Sequence, residues 1–142
     1  MIEYSTQILI ASSPARVWAI LIDAGRYGDW NPEILGIEGA FSAGARITAR
    51  VRLGDGATRR VPMRVTELAA PTRMVWTGGL PFGLFVGRRT YTVVPSPGGT
   101  EFHMHLEMSG PLSGLIGKSV GDRQPEIDSF AAGLKRHAER RD

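Results

Sequence analysis

Apolar and polar side chains alternate with a period of two over much of the chain, beginning with residues 2–10. Such alternation predicts a strand with one buried face. The same pattern, or a short apolar run, predicts further strands at residues 34–40, 46–53, 61–65, 74–76, 85–94 and 101–108. Strands with one buried and one polar face are typical of an antiparallel sheet.

Turn-forming residues separate these strands. Gly54, Asp55 and Gly56 predict a turn after the third strand, and the Pro-Ser-Pro-Gly-Gly segment at 95–99 predicts a hairpin. Pro62 cannot donate a ladder hydrogen bond, so it predicts an irregularity or an edge position. Residues 78–85 are rich in glycine and large apolar residues. Residues 78–83 predict a mobile apolar loop, and the apolar stretch at residues 80–85 is a candidate cavity gate, dimer contact or membrane-touching tip.

Two helical regions flank the predicted sheet strands. Residues 14–21 predict a short helix that Ser12 or Ser13 caps and Pro14 begins. Its buried face is formed by Val17, Trp18 and Leu21. A second short helix follows, and the Asn-Pro pair at 31–32 forbids further helix because proline pushes its predecessor into extended geometry.

The carboxyl-terminal region is predicted to be helical because its apolar residues recur at intervals of three and four. The stripe consists of Ile116, Val120, Ile127, Phe130, Ala131 and Leu134. Pro125 interrupts it, so either the helix kinks there or a second helix begins with this proline in its first turn.

The motifs at residues 11–21 and 27–32, a strand end with Ser-Pro-x-x-Val-Trp and then Tyr-x-x-Trp-Asn-Pro, resemble the START-like superfamily called SRPBCC. That superfamily includes the birch-pollen allergen fold and the polyketide cyclase/dehydrase group. Later segments at 76–79, 87–91 and 99–102 are similar to motifs of the same group, so the resemblance covers the whole chain. The resemblance implies an α+β helix-grip fold. In it, a curved antiparallel sheet of about six to seven strands wraps a long carboxyl-terminal helix, with two short helices after the first strand and a cavity between sheet and helix.

Composition fits one domain over residues 1–142. Hydrophobic residues make up 42% and charged residues 22%, as in ordinary globular proteins. The absence of cysteine excludes disulfides, thiolate metal sites and cysteine nucleophiles. No apolar run reaches the roughly 18 residues of a membrane span, and the amino terminus lacks the pattern of a secretory signal. We therefore expect no membrane span and a cytoplasmic location, and the sequence leaves a homodimer open.

The net charge of +3 does not predict a nucleic-acid partner, because the arginines are scattered and interleaved with acidic residues. The basic cluster at residues 135–141 suits the carboxyl end of a helix, where positive charge complements the dipole. The glycine-rich segments lack the lysine and helix of a phosphate loop. We expect no cofactor.

Titratable residues that could hold a metal or catalyse a reaction are few. His103 and His105 lie two apart on a predicted strand and share its face, a feasible ligand spacing. That face is opposite the apolar one, so we expect both to look toward solvent and to hold no metal. Asp23, Asp29 and Glu33 are expected to serve in caps and turns.

Aromatic, methionine and aliphatic residues on the buried faces are the candidates for a ligand-binding cavity. They are Trp30, Met63, Trp76, Phe82, Phe85, Tyr91, Phe102, Met104, Ile127 and Phe130. Tyr91 and Arg89 share strand parity and are the weak catalytic candidates, because either could orient or polarise a carbonyl group of a ligand. Many members of the superfamily carry a histidine where Arg89 aligns and a glutamate where Leu106 aligns.

The resemblance implies three functions. The favoured one is binding of a small hydrophobic molecule, such as a lipid, a polyketide or an isoprenoid, between the sheet and the carboxyl-terminal helix. The alternative is an enzyme of the polyketide aromatase/cyclase type, which needs an inward arginine, tyrosine or carboxylate to polarise a carbonyl and move protons. The third is an interaction role similar to that of the Hsp90 activator, which a filled core would favour.

Overall fold

The computed structural model describes residues 1–53 and 56–140. Its seven strands form one antiparallel sheet in the order β1-β7-β6-β5-β4-β3-β2. The strands are β1 (Ile2–Ile10), β2 (Ile34–Glu38), β3 (Arg46–Arg52), β4 (Thr58–Ala69), β5 (Arg73–Leu80), β6 (Phe85–Ser96) and β7 (Gly99–Ser109). The sheet curls around the helices, which confirms the predicted helix-grip architecture.

Helix α1 (Pro14–Leu21) and a 3-10 segment (Ala24–Asp29) connect β1 to β2. Ser13 is the residue that caps α1, since its hydroxyl accepts a hydrogen bond from the Arg16 amide at 3.2 Å. The turn into β2 depends on Asn31, whose side-chain oxygen accepts from the amides of Glu33 and Ile34 at 2.9 and 2.8 Å. This turn points the chain inward at Glu33, which is almost wholly buried.

The carboxyl-terminal region is split into two helices, α2 (Ser113–Val120) and α3 (Gln124–Glu139). Gly121 ends α2 with a φ of 74°, a left-handed value that suits glycine. Pro125 lies in the first turn of α3, where a missing amide proton costs nothing. Of the two arrangements that the sequence leaves open, the structure therefore has the second helix.

Three local predictions have further outcomes. The segment predicted as a loop from residue 78 is largely sheet, because β5 and β6 stay paired to Leu80 and Phe85 around a 3-10 turn at Pro81–Gly83. Pro62 lies within β4 opposite Thr48, and the pairing of β4 with β5 begins two residues later, at Arg64. The turn predicted at Gly54, Asp55 and Gly56 lies outside the described residues except for Gly56.

Within the described chain, no helix has both the length and the apolar character that a membrane crossing requires.

Candidate functional site

The inner face of the sheet has two parts, and the part beneath α3 is filled by stacked rings. Tyr91 and Phe130 have ring centroids 5.2 Å apart at an interplanar angle of 20°, and Trp76 meets Tyr91 edge-on at 5.0 Å. Trp30 meets Phe130 edge-on at 5.2 Å. Such offset and edge-to-face pairs pack to high density. This part of the molecule is therefore core.

The part of the inner face beneath α2 contains a cavity of about 330 Å³ that opens to solvent. Its apolar wall includes Val61, Met63, Phe85, Met108, Ile116 and Val120. The last two project from α2, so this short helix forms the roof, while β4, β5, β6 and β7 form the floor and sides. The volume falls in the range of small-molecule binding sites.

Glycines on the inner face help to keep this space open. Gly87 follows Phe85 and precedes Arg89 in strand parity, and all three line the cavity. A Cβ atom at Gly87 would have no neighbour closer than 3.8 Å, so any larger side chain there would extend into free space. Gly78 pairs with Gly87 across β5 and β6 and also lines the cavity. A Cβ atom at Gly78 would lie 2.9 Å from the Met63 side chain and from the Pro62 carbonyl oxygen, so this glycine allows β4 to approach closely, whereas Gly87 leaves the space open.

A buried carboxylate beside the cavity holds two arginines. Arg89 donates from its two terminal nitrogens to the two Glu33 oxygens, at 3.1 and 2.6 Å. Arg123, between α2 and α3, donates to the same Glu33 carboxylate at 3.0 Å. The Glu33 side chain is fully buried and both arginine side chains are less than a tenth exposed. Hydrogen-bonded pairing of this kind offsets the large cost of removing charges from water.

Arg89 also contacts the aromatic core. Its Nε donates to the Tyr91 hydroxyl at 2.9 Å, and its guanidinium carbon lies 5.8–5.9 Å from the ring centroids of Trp76, Tyr91 and Phe130. Burial by itself lowers the pKa of the Arg89 guanidinium, but Glu33 and Tyr91 outweigh it, so this pKa lies above its ordinary value. Burial raises the pKa of Tyr91 well above its ordinary value despite the neighbouring Arg89 charge. Arg89 is thus held charged and Tyr91 protonated.

One of the two terminal guanidinium nitrogens of Arg123 is available for a further hydrogen bond. Its Nη1 is buried and, among the described residues, has no hydrogen-bond partner. The Glu126 carboxylate lies 3.7 Å from Nη1, which is too long for a hydrogen bond. Arg123 lines the cavity, whereas Glu33 and Glu126 do not. The site therefore presents an apolar wall together with two guanidiniums anchored from behind.

The structure distributes the residues predicted for the cavity over three places. Met63, Phe85 and the candidate Arg89 line the cavity, while Tyr91 touches Arg89 from the core side. Phe82 is 99% exposed at the tip of the β5–β6 hairpin. The remaining candidates are buried in the main core away from the cavity: Trp30, Trp76, Phe102, Met104, Ile127 and Phe130. Contact of any of these residues with a ligand stays a prediction.

Sequence reasoning missed several residues of the site, among them the buried charged pair Glu33 and Arg123. Glu33 was expected to serve in a turn, and its neighbour Asn31 does form that turn. This turn directs the Glu33 carboxylate inward. The position of Glu33 directly before the apolar, buried Ile34 was the feature of the sequence that could have indicated its burial. Arg123 precedes the Gln-Pro start of α3, a position that gives no sign of burial by itself.

The two histidines of β7 lie on the outer face, half-buried, as the alternation predicts. His103 meets Glu101 at 2.7 Å. His105 lies near Glu3 and Glu107, and ligand atoms of these three residues fall within 4.8 Å of one another. Partly exposed groups of this kind are common without a metal, and the cluster is on the opposite face from the cavity.

A family model described as polyketide cyclase / dehydrase and lipid transport matches residues 1–139. No curated protein matches the chain. Protein MLL2253 from Mesorhizobium loti has a similar structure with a TM-score of 0.75 and 18% identity, covering 99% of both chains. A START superfamily protein from Mycobacterium smegmatis matches with a TM-score of 0.71 and 19% identity, covering 96% of this chain and 97% of that one.

A third similar structure is the di-domain ARO/CYC BexL from the BE-7585A biosynthetic pathway, with a TM-score of 0.74 and 11% identity. The match covers 99% of this chain and 51% of BexL, so this chain corresponds to about half of that protein. At these identities the structural matches establish a shared fold, and function has to be argued from the site.

Proposed function

From the premise that the chain belongs to the polyketide cyclase / dehydrase and lipid transport family, we propose that it binds a small hydrophobic molecule beneath α2. Membership confirms the resemblance to START-like proteins that the sequence motifs indicate. The class of ligand that we propose is lipid-, polyketide- or isoprenoid-like. A cytoplasmic location and a homodimer stay predictions.

The observation that carries this proposal is the apolar cavity of about 330 Å³ between the curled sheet and α2. A void of this size lined by Met63, Phe85 and Met108 forgoes the packing that the neighbouring core achieves. An apolar ligand would restore those contacts and remove its own surface from water, which is the main source of affinity for such ligands. The cavity also disfavours the interaction role similar to the Hsp90 activator, for which a filled core was the expectation.

Native mass spectrometry of the purified protein, followed by denaturing extraction, is the first test of binding. A matched pair of variants then tests whether the ligand binds in the cavity beneath α2, with the neutral fluorescent probe N-phenyl-1-naphthylamine. Gly87→Val extends a side chain into the cavity, and Gly25→Val adds the same side chain where nothing lies within 4 Å of a new Cβ atom. We expect Gly87→Val to weaken probe binding by about tenfold or more and Gly25→Val to leave it unchanged. Equal binding by both variants would place the ligand elsewhere.

A second candidate function is an aromatase/cyclase-type enzyme, and the guanidinium of Arg89 at the cavity wall is the observation that favours it. A fixed positive charge there would stabilise the enolate oxygen that develops during aldol closure of a poly-β-ketone. Tyr91 accepts a hydrogen bond from Arg89 and has a raised pKa, so it is a poor proton donor in this arrangement. Incubation with a short poly-β-ketone thioester tests this candidate by mass spectrometry. Loss of water above the rate seen with Gly87→Val supports catalysis, and equal rates oppose it.

A further inference from the structure

The polar side chains that line the cavity are all arginines: Arg59, Arg89 and Arg123. Among the described lining residues there is no carboxylate, hydroxyl, amide or imidazole group. A neutral apolar molecule offers no acceptors to these guanidinium groups, each of which is a hydrogen-bond donor only. A lining whose polar side chains are all positively charged is therefore not explained by such a ligand. The composition of the wall therefore carries information on the charge of the ligand.

The two inner arginines pair with carboxylates that do not line the cavity, and one of their donors makes no hydrogen bond among the described residues. Glu33 supplies one negative charge to Arg89 and Arg123 together. Glu126 is the other acidic group near Arg123, and at 3.7 Å it leaves Nη1 without a hydrogen bond. A buried donor of this kind loses its bonds to water and gains none in return. An anionic oxygen in the cavity would accept such a bond, and charge-assisted bonds are the strong ones.

Arg59 supplies a third positive charge at the edge of the cavity. It shares strand parity with Val61 and Met63, so its side chain belongs to the inner face of β4, and it is exposed at the rim. No ion pair of Arg59 occurs within the described part of the chain. Arg60, the next residue, lies on the opposite face of the strand and pairs with Glu38 at 2.5 Å. Two adjacent arginines on one strand thus differ in what they face.

We infer that the ligand is an amphipathic acid, with an apolar body against Met63, Phe85 and Met108 and one carboxylate that accepts hydrogen bonds from the arginines. This inference rests on the proposed function and narrows its ligand class. A neutral alcohol or ester of the same chain would bury the same apolar surface. It would gain less from the guanidiniums, because its oxygen carries no net charge.

Three probes of equal chain length test this inference: decanoate, 1-decanol and methyl decanoate. The affinity of each is measured by its displacement of N-phenyl-1-naphthylamine from the wild-type protein at pH 7. Low ionic strength limits screening of the charges. We expect decanoate to bind about tenfold more tightly than either neutral probe, as one charge-assisted hydrogen bond would give. Neutral probes that bind as tightly as decanoate would overturn the inference and leave the proposed function intact. Failure of the fluorescent probe and all three ligands to bind would instead overturn the proposed function.

The variants Arg59→Gln and Arg60→Gln form a matched pair, since both side chains are exposed and neighbouring on β4. Arg59→Gln is expected to weaken decanoate binding severalfold while leaving the affinity for 1-decanol unchanged. Arg60→Gln is expected to change neither. An equal loss of decanoate and decanol affinity in Arg59→Gln would indicate altered packing of the rim, and an equal loss of decanoate affinity in both variants would indicate a general surface potential. Either result contradicts the inference.

Discussion

The regions beneath α3 and beneath α2 share the same strands, yet one is filled and the other is open. On β7, Phe102 and Met104 lie in the filled region while Leu106 and Met108 follow on the same face at the cavity. On β6, Tyr91 stacks on Phe130, whereas Arg89 and Gly87 face the open space. The boundary between core and cavity thus runs across the strands and falls between residues two positions apart.

Two features distinguish the open region from the filled one: the smaller side chains of α2 and the glycines of the sheet. The filled region has rings on both sides, from α3 and from the sheet, that interdigitate. In the open region, α2 contributes the smaller aliphatic side chains Ile116 and Val120, and the sheet contributes glycines. The Glu33 ion pairs lie at the boundary and hold polar groups that would otherwise be drawn toward water.

The variant Glu33→Gln should have the largest effect on stability, because it leaves the buried Arg89 without a counter-charge and Arg123 with only Glu126, 3.7 Å away. We expect the free energy of unfolding to fall by about 3–5 kcal/mol, measured by urea denaturation. Glu38→Gln is the control, since it breaks the exposed pair with Arg60 and should cost at most about 1 kcal/mol. Similar losses for the two variants would mean that the boundary is not held by the buried ion pairs.

Met104→Ala and Met108→Ala compare the two regions directly with one residue type on one face of β7. Met104 is 1% exposed within the packed core, so its truncation creates a new void and should cost about 2–5 kcal/mol. Met108 borders the existing cavity, so its truncation enlarges that space and should cost less than about 2 kcal/mol. Urea denaturation of both variants measures the difference, and equal costs would contradict the division into filled and open regions.

Tyr91→Phe tests the contact that joins the two regions. The ring keeps its stacking with Phe130, but Arg89 Nε loses its acceptor at 2.9 Å. A hydrogen bond to a charged group contributes about 1.5–3 kcal/mol, and we expect a loss in this range. Thermal and urea unfolding measure it. If Tyr91→Phe leaves the free energy of unfolding unchanged, the Tyr91 hydroxyl does not help to hold Arg89, and Glu33 holds it alone.

Phe82→Gly should have the smallest effect, and in the opposite direction. Phe82 has a φ of 60° and is 99% exposed, so its backbone is left-handed and no packing is lost on truncation. Relief of that conformation should raise stability by about 1 kcal/mol, seen as a higher Tm. Phe82→Ala is the control, since alanine keeps the Cβ atom and the strain. If Phe82 also gates the cavity, both variants should slow probe uptake, and unchanged uptake would exclude that role.

Sequence patterns predicted the strands, a cap at Ser12 or Ser13, the hairpin at residues 95–99 and the curled sheet, because each depends on local spacing or on the family resemblance. They did not predict which inner-face residues meet the cavity. Alternation assigns Phe102 and Met108 to the same face, but it contains no information on what lies opposite each of them. The Glu33–Arg123 contact joins residues 90 positions apart, and no local pattern reports such a pairing.

That long separation bears on the order in which the molecule assembles. Glu33 meets Arg89 across 56 positions and Arg123 across 90, so both contacts close long loops of the chain. Closing such large loops is entropically costly, so we expect these contacts to form late in folding. Contacts that form after the rate-limiting step govern how fast a protein unfolds, not how fast it folds. We therefore expect the loss of these ion pairs to speed unfolding more than it slows folding.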